Sequence, residues 1–411
     1  MFFRYTVTLV ANETDHHATV VQALLRRHIG DITPGTTQEI ENALETVCGQ
    51  SKEWSSTSLA AIIIAVVARS TSRLLVGPSL CRNNDYINLC IEYATEMESS
   101  AAKIRALVPF LRPLIAPYYC RRLAELRKLA HAHIAPLLAG PDSAPKEKNA
   151  SSQYTAVQWL AQKLRGVPEE TEERQVARIM FLNVISIFTV MMASLNVLYD
   201  ILARPDVKRA LLEEIAEVSG GKGDLGLGDV EFERLRRLDS CIRESQRLNP
   251  TNWIILEGQA QKDLTFSTGL CVEKGSYLSI CGGAILKSNG PPLSTSSNPP
   301  PIDEFHAFRY VTPDSGISTD VSTANGNSNA NSNLATAISP TNLTFGYGRM
   351  SCPGRYFAVH SIKAIVVGLL LRYDVEFEKK DGEERGRPRN VQAGNVIIPD
   401  PSVMVRVRAR G

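Results

Sequence analysis

Apolar positions recur at helical spacing through the first two thirds of the chain and at alternate positions only near its end. Thr37 to Cys48, Leu59 to Leu75, Asp85 to Phe110 and Pro117 to Ala139 repeat every three to four residues, which predicts helices buried on one face. Gly77-Pro78 and Gly140-Pro141-Asp142 break them. A long apolar run follows from Thr171 to Leu202, then a shorter helical pattern from Asp206 to Glu217. Beyond Pro250 the period changes. Trp253 to Leu256, Leu264 to Ser267, Tyr277 to Cys281, Val391 to Ile398 and Val403 to Val407 read as short strands. Helices first and a minor sheet region after them predict an α+β fold that is mainly helical.

Three stretches stand outside this pattern. Gly220 to Gly228 follows no strand and lacks Gly-x-Gly-x-x-Gly spacing, so it reads as a linker rather than a phosphate loop. Ser288 to Pro301 is rich in Ser and Pro, and Ser315 to Ser339 in Ser, Asn, Thr and Gly. Neither holds enough apolar surface to order itself, and both read as low-complexity loops within one domain spanning 1–411. The run from Arg178 to Asp200 is long enough for a bilayer core, roughly 20 residues. Asn183, Asn196 and several hydroxyls interrupt it, which favours a buried central helix over a membrane span.

Composition changes the picture little. The chain has 411 residues, a net charge of +2 and ordinary globular proportions of apolar and charged residues, so charge makes no case for nucleic acid. Its eight cysteines form no Cys-x-x-Cys and no metal-ligand spacing, and the expectation is reduced thiols in a cytosol-facing protein. His16-His17 reads as a surface feature rather than a metal site. Met1 to Val7 has neither the charge nor the apolar length of a signal or an anchor.

The chemistry concentrates in one string, Phe345-Gly346-Tyr347-Gly348-Arg349-Met350-Ser351-Cys352-Pro353-Gly354-Arg355. Glycines six and four before the cysteine allow a sharp bend. An apolar helical run starts just after it, from Tyr356 to Leu371. A thiolate at a helix start is stabilised by the macrodipole and free N–H groups, and such a sulfur can hold haem iron. A lone cysteine is more often a small buried hydrophobe; the glycine spacing argues against that here. About a hundred residues upstream, Glu244-x-x-Arg247 places both charges on one helix face, closed by Leu248-Asn249-Pro250.

Together these motifs resemble those of the cytochrome P450 family, and the resemblance covers most of the chain. It implies a P450 fold that lacks the family's first quarter, where a membrane anchor and the first small sheet normally lie. It implies haem b ligated by Cys352, with Phe345, Gly348, Arg349 and Gly354 shaping the loop around it. Phe305-His306-Ala307-Phe308-Arg309 supplies a second arginine, so Glu244, Arg247 and Arg309 are expected to form a buried structural cluster. Asn196 to Asp200 sets the register of the distal helix, which puts Thr189 at the family's proton-relaying threonine. Ile185, Phe188, Trp253, Ile254 and Ile255 are expected to line an apolar pocket. The implied reaction inserts one oxygen atom from O2 into an apolar molecule, with electrons from NADPH through an NADPH-cytochrome P450 reductase. His16 to Val21, Val76 to Asn83 and Glu244 to Pro250 are similar to fungal enzymes that oxidise terpenoid and indole-terpenoid secondary metabolites. The family also implies the cytosolic face of the endoplasmic reticulum membrane, with contact through the N-terminal anchor that this chain lacks.

Several positions depart from the family. Phe188 stands where an acid or polar group is common, and Ser186 where glycine is. Met350 replaces a basic residue, Leu286 a histidine, and Gly258 and Gln22 stand near arginine positions. Arg349, His16 and His17 are the candidate replacements for contacts to the haem propionates. These departures keep two alternatives open: a degenerate, haem-poor relative without turnover, and a membrane-embedded structural protein built on the 178–202 run.

Overall fold

One helix organises the architecture. In the computed structural model, which describes residues 7–138, 155–220, 226–288, 301–311, 333–379 and 386–410, the described residues form thirteen α-helices and nine strands. They are α1 (Thr8–Glu13), α2 (His16–Cys48), β1 (Ser55–Ser58), α3 (Leu59–Val76), α4 (Pro78–Cys81), α5 (Asn84–Ala106), α6 (Arg112–Tyr119), α7 (Arg121–Leu138), α8 (Ala156–Leu164), α9 (Glu172–Leu202), α10 (Pro205–Val218) and α11 (Arg236–Leu248). The remainder are β2 (Ile255–Gln259), β3 (Leu264–Thr265), β4 (Cys271–Val272), β5 (Tyr277–Ile280), α12 (Gly282–Ser288), α13 (Arg355–Arg372), β6 (Tyr373–Phe377), β7 (Asn390–Ala393), β8 (Val396–Pro399) and β9 (Met404–Ala409).

α9 is the axis. Its start is capped by the Thr171 hydroxyl, which accepts from the Arg174 N–H, and Glu172 and Glu173 complement the helix dipole. It passes through two apolar cores. Val176, Ile179, Met180, Leu182, Val184 and Ile187 join a core built from the first part of α2 with α5, α7 and α8. Val190, Leu195, Val197, Leu198 and Ile201 join the other, built from α3, α11, α13 and the terminal sheet. The hand-over falls between Ile187 and Val190. Both α3 and α9 are long and apolar enough to cross a membrane, yet most of each is buried inside the protein, so core packing accounts for their apolarity. Fully burying such side chains stabilises by roughly 1.5–3 kcal/mol each.

The sheets are small and antiparallel. β1, β9 and β6 form one sheet in that order; β2–β5, β3–β4 and β7–β8 are two-stranded. In the three-stranded sheet Val405 and Val407 face the core with Val375 and Phe377, while Arg406 and Arg408 stack over Trp54 on the other face. This alternation is the period-2 pattern of a half-buried strand.

The structure redraws several element boundaries. α2 begins at His16 and reaches Cys48 through a kink at His28, so the pattern from Thr37 caught only its last part. α5 stops at Ala106, because Pro109 lacks an N–H and biases Val108 away from helical backbone. The single run Val391 to Ile398 is a hairpin, turned at Gly394, whose φ is 62°. β1 and β6 were invisible to the apolar pattern. β1 is all Ser and Thr at a sheet edge, and β6 follows α13 with no turn residue between them. Of the two low-complexity stretches, 289–300 and 315–332 lie outside the described residues, as does most of the Gly220 to Gly228 linker.

Candidate functional site

The Cys352 loop is bent by glycine and held by its own backbone. Gly346 and Gly348 have φ of 72° and 60°, the left-handed region that costs an L-residue roughly 1–2 kcal/mol. A short 3₁₀ turn covers Gly348–Met350. The Cys352 N–H then donates to the Phe345 carbonyl at 2.8 Å and closes the loop. Phe345 packs on the core that includes α13, which anchors the start of the loop. Gly354 caps α13, and the Ala358 N–H donates to its carbonyl at 2.9 Å.

These elements put the half-buried Cys352 thiol two residues before a helix cap. Burial pushes the thiol up from its ordinary range, while the Gly354 N–H and the Arg355 guanidinium act to lower it. The Gly354 N–H approaches the sulfur, where a side chain at residue 354 would bring its Cβ to 4.0 Å from Sγ. Arg355 turns back to the loop, donating Nη1–H to the Cys352 carbonyl at 3.2 Å and stacking on Tyr356. Arg349 and Gly348 are exposed. All eight cysteines are free.

Behind this loop, α11 carries a buried ion cluster. Arg247 donates Nε–H and Nη2–H to the two oxygens of Glu244 at 2.8 and 3.0 Å. Arg309 donates Nε–H to Glu244 Oε1 at 2.9 Å, and the His306 N–H adds a fourth donor at 3.1 Å. The remaining guanidinium groups reach backbone: Arg247 to the Lys287 carbonyl, Arg309 to the Pro301 and Glu304 carbonyls, all at 3.1 Å. All three side chains are at most 2% exposed. None has a free surface to offer a substrate.

On α9, the hand-over between the two cores leaves a stripe uncovered. Val184, Ile187 and Val190 are buried, but Ile185 is 39% exposed and Thr189, one turn later, is exposed with it. Thr189 Oγ1 donates to the Ile185 carbonyl at 2.7 Å, the back-bond open to a helical threonine. Phe188 is half-buried against the α5–α7–α8 core. The other three pocket candidates are placed by different elements. Asn395, in the β7–β8 turn, donates to the Ile254 carbonyl and accepts from the Ile254 N–H, and its own carbonyl accepts from the Trp253 N–H. Trp253 packs on Gly283 under the Lys287 ammonium, and Ile255 packs on Gly282. Any side chain at 282 or 283 would collide with them. Leu256, next in the chain, takes a φ of 51° at a bulge in β2.

The positions read as departures have mixed fates. Leu286 is buried beside Arg243, Arg247 and Tyr310. Gln22 and Gly258 are exposed. His17 is buried edge-on to Phe181 and beside Arg178, and burial first, then that guanidinium, lowers it to about 4. It is neutral at physiological pH and supplies no positive charge. The Met350 side chain lies outside the described part of the structure. The donor set therefore fits an iron held through a single thiolate; cationic partners for the propionates are fewer, with Arg349 exposed on the loop itself.

One part of the site gave no motif, the bracket that Asn395 makes around Trp253 and Ile254. A Gly394-Asn395 turn signal inside a strand pattern was its one trace.

Comparison with known proteins gives one family, and the solved structures share its fold. The family model described as Cytochrome P450 matches residues 7–291 and 303–405. A cytochrome P450 monooxygenase, AN1598, from Emericella nidulans is 28% identical over 99% of this chain and 73% of its own length. An ent-kaurene oxidase from Gibberella intermedia is 28% identical with the same coverage, and the monooxygenase paxP from Penicillium paxilli is 28% identical over 98% of this chain and 74% of its own. Among solved structures, a zebrafish cytochrome P450 with progesterone superposes with a TM-score of 0.68, at 16% identity over 96% of this chain and 82% of that one.

Proposed function

The chain belongs to the cytochrome P450 monooxygenase family, and from that premise we propose that Cys352 is its haem-iron ligand and an apolar terpenoid its substrate. The observation that carries the first part is the loop: a single half-buried thiol, closed by Cys352 N–H to Phe345, with the Gly354 N–H on the sulfur. Haem bound there supplies activation of O2 and insertion of one oxygen atom into a C–H bond, using two electrons delivered from NADPH by a reductase. The chain's own residues do the rest. Gly346 and Gly348 let the loop bend so that it presents the Cys352 sulfur, which would hold the haem iron. The Gly354 N–H and Arg355 act against the burial that raises the Cys352 thiol. Glu244, Arg247 and Arg309 hold α11 against the 304–309 segment. Thr189 offers a hydroxyl on the uncovered stripe of α9, where it positions a water or passes a proton. Ile185 and Phe188 present apolar surface beside it, and Trp253, Ile254 and Ile255 form a wall braced by Asn395 and α12.

The terpenoid class rests on the oxidases among the relatives and on that apolar stripe. Titrating holoprotein with diterpene hydrocarbons and indole diterpenes tests it. Micromolar low-spin to high-spin shifts of the Soret band are expected for these and not for polar aromatics of equal size. The opposite selectivity would remove the substrate class.

A haem-poor relative is the competing reading, favoured by the neutral His17, the buried Leu286 and the exposed Gln22 and Gly258. Haem-to-protein ratio after expression with excess haem precursor decides between them.

We infer also that the chain meets a membrane through α6. Residues 99–124 contain Lys103, Arg105, Arg112, Arg121 and Arg122 and no acidic residue. Within them Val108, Phe110, Leu114 and Tyr118 are 49–76% exposed, and Lys103 and Arg121 lie over Tyr119 and Tyr118. Exposed aromatic and aliphatic tips rimmed by cations match an anionic lipid surface.

A further inference from the structure

One carboxylate grips both flanks of the cysteine loop. Asp239, in the first turn of α11, is 5% exposed. Its Oδ1 accepts from Lys363 Nζ at 2.7 Å, and its Oδ2 accepts from the Ala335 N–H at 2.7 Å. Lys363 lies on α13, eleven residues after Cys352. Ala335 lies ten residues before Phe345, at the head of the segment that runs into the loop. That segment is knit to itself. The Ala337 N–H donates to the Leu334 carbonyl, the Asn342 amide to the Ala337 carbonyl, Ser339 and Asn342 form a mutual bridge, and the Gly346 N–H donates to the Leu343 carbonyl. The pull of Asp239 therefore has few slack bonds to cross before it reaches Phe345.

The pair is fully satisfied. The Lys363 ammonium also donates to the Phe232 and Leu235 carbonyls at 3.1 and 3.4 Å, which uses its three hydrogens. Asp239 itself is held in place from α10. Glu214 accepts from the Leu238 N–H at 2.9 Å and from the Arg237 N–H, capping α11 where Leu235 supplies no side-chain cap. Glu244, five residues on, grips the 304–309 segment. α11 thus presents two carboxylates with separate tasks: Glu244 fixes the segment upstream, and Asp239 fixes the loop from both sides.

We propose that Asp239 and Lys363 are positioning residues for the Cys352 thiolate, clamping the loop at a set height on α11. The proposal rests on Cys352 being the iron ligand for its catalytic meaning, but the clamp itself is a property of the loop alone. It needs no contact between either residue and haem.

The test removes both charges together, as Asp239→Asn with Lys363→Met, so that neither is stranded in the core. The control is Glu170→Gln with Arg178→Met, another buried pair, whose Nε–Oε2 bond is 2.9 Å and which touches α1 and the start of α9 instead. Hydrogen exchange of peptides covering 345–354 is read in all three proteins, well below their melting temperatures. Protection there should fall by about tenfold or more in the Asp239/Lys363 variant and stay near wild type in the control. In holoprotein, the reduced carbon monoxide complex should show part of its absorbance moved from the thiolate position to the shorter-wavelength form, again only in the first variant. Wild-type protection in 345–354 of the Asp239/Lys363 variant, or an equal loss in the control, would overturn the clamp. A wild-type protein with no thiolate band would sink the ligand assignment instead, and exchange would still decide the clamp.

Discussion

At the scale of single residues, Glu244 sits among one carboxylate's worth of negative charge and two guanidiniums' worth of positive. That imbalance ranks its variants. Glu244→Gln leaves Arg247 and Arg309 buried without a counter-charge and should cost roughly 3–5 kcal/mol, with little haem-loaded protein recovered. Arg309→Met leaves the neutral Glu244–Arg247 pair intact and loses only hydrogen bonds, at about 1–3 kcal/mol. Urea midpoints of the purified variants check the order, and an Arg309 variant weaker than the Glu244 variant would contradict it. His360 gives a pH-dependent counterpart. It is half-buried edge-on to Phe232, bonded to Thr37 Oγ1 at 2.8 Å, and held at about 4 by burial and then by Lys363. Its unfolded value is near 6.5, so the folded chain binds fewer protons. Its contribution is complete above pH 6.5 and falls on acidification at about 1.4 kcal/mol per pH unit until about pH 4. His17 acts in the same direction. His360→Gln should flatten the loss of stability between pH 6.5 and 4.5 by about that slope at full titration. An unchanged slope would show that His360 is not neutral in the fold.

At the scale of elements, the loop and α9 carry separable predictions. Gly348→Ala must adopt a φ of 60° and should lower loop stability by roughly 1–2 kcal/mol, read as faster haem loss to an apo-globin scavenger. Retention equal to wild type would mean that the bend is not needed to hold the ring. Thr189→Ala removes the hydroxyl but leaves the exposed stripe apolar. Substrate binding should persist while more of the consumed NADPH appears as peroxide, and unchanged coupling would place the proton path elsewhere. The legibility of these elements follows the same physics. α9, α11 and α13 were readable because an apolar period or a fixed charge spacing marked them. β1 was not, because an edge strand of Ser and Thr needs only backbone pairing to β9. The Asp239–Lys363 pair was not, because 124 residues of sequence separate two groups that only the packed fold brings to 2.7 Å.

At the scale of the whole molecule, the cysteine loop and the Glu-x-x-Arg helix were visible as spaced types, and so was the helical majority of the fold. What the spacing did not contain was the division of the chain into two cores that meet on α9 between Ile187 and Val190. That division leaves Ile185 and Thr189 uncovered on an otherwise buried helix. Nor did it contain the exposed α6, since an apolar run reads alike whether it faces the core or the solvent. The α6 surface should bind vesicles containing phosphatidylserine more tightly than pure phosphatidylcholine, with affinity falling as salt rises. Phe110→Ser with Leu114→Ser should weaken binding on both, and Arg112→Glu only on the anionic ones. Binding insensitive to all three changes would remove α6 from the membrane contact, and self-association without lipid would assign the patch to a second copy of the chain.

All of these expectations meet at one sulfur. The most direct measurement is the difference spectrum of the reduced, haem-loaded chain on adding carbon monoxide, for the wild type and for Cys352→Ala. The wild type should give the red-shifted Soret band of thiolate ligation, and the alanine variant should lack it whether or not it retains haem. A wild-type spectrum without that band, or the same band in the alanine variant, would contradict the assignment of Cys352 as the iron ligand.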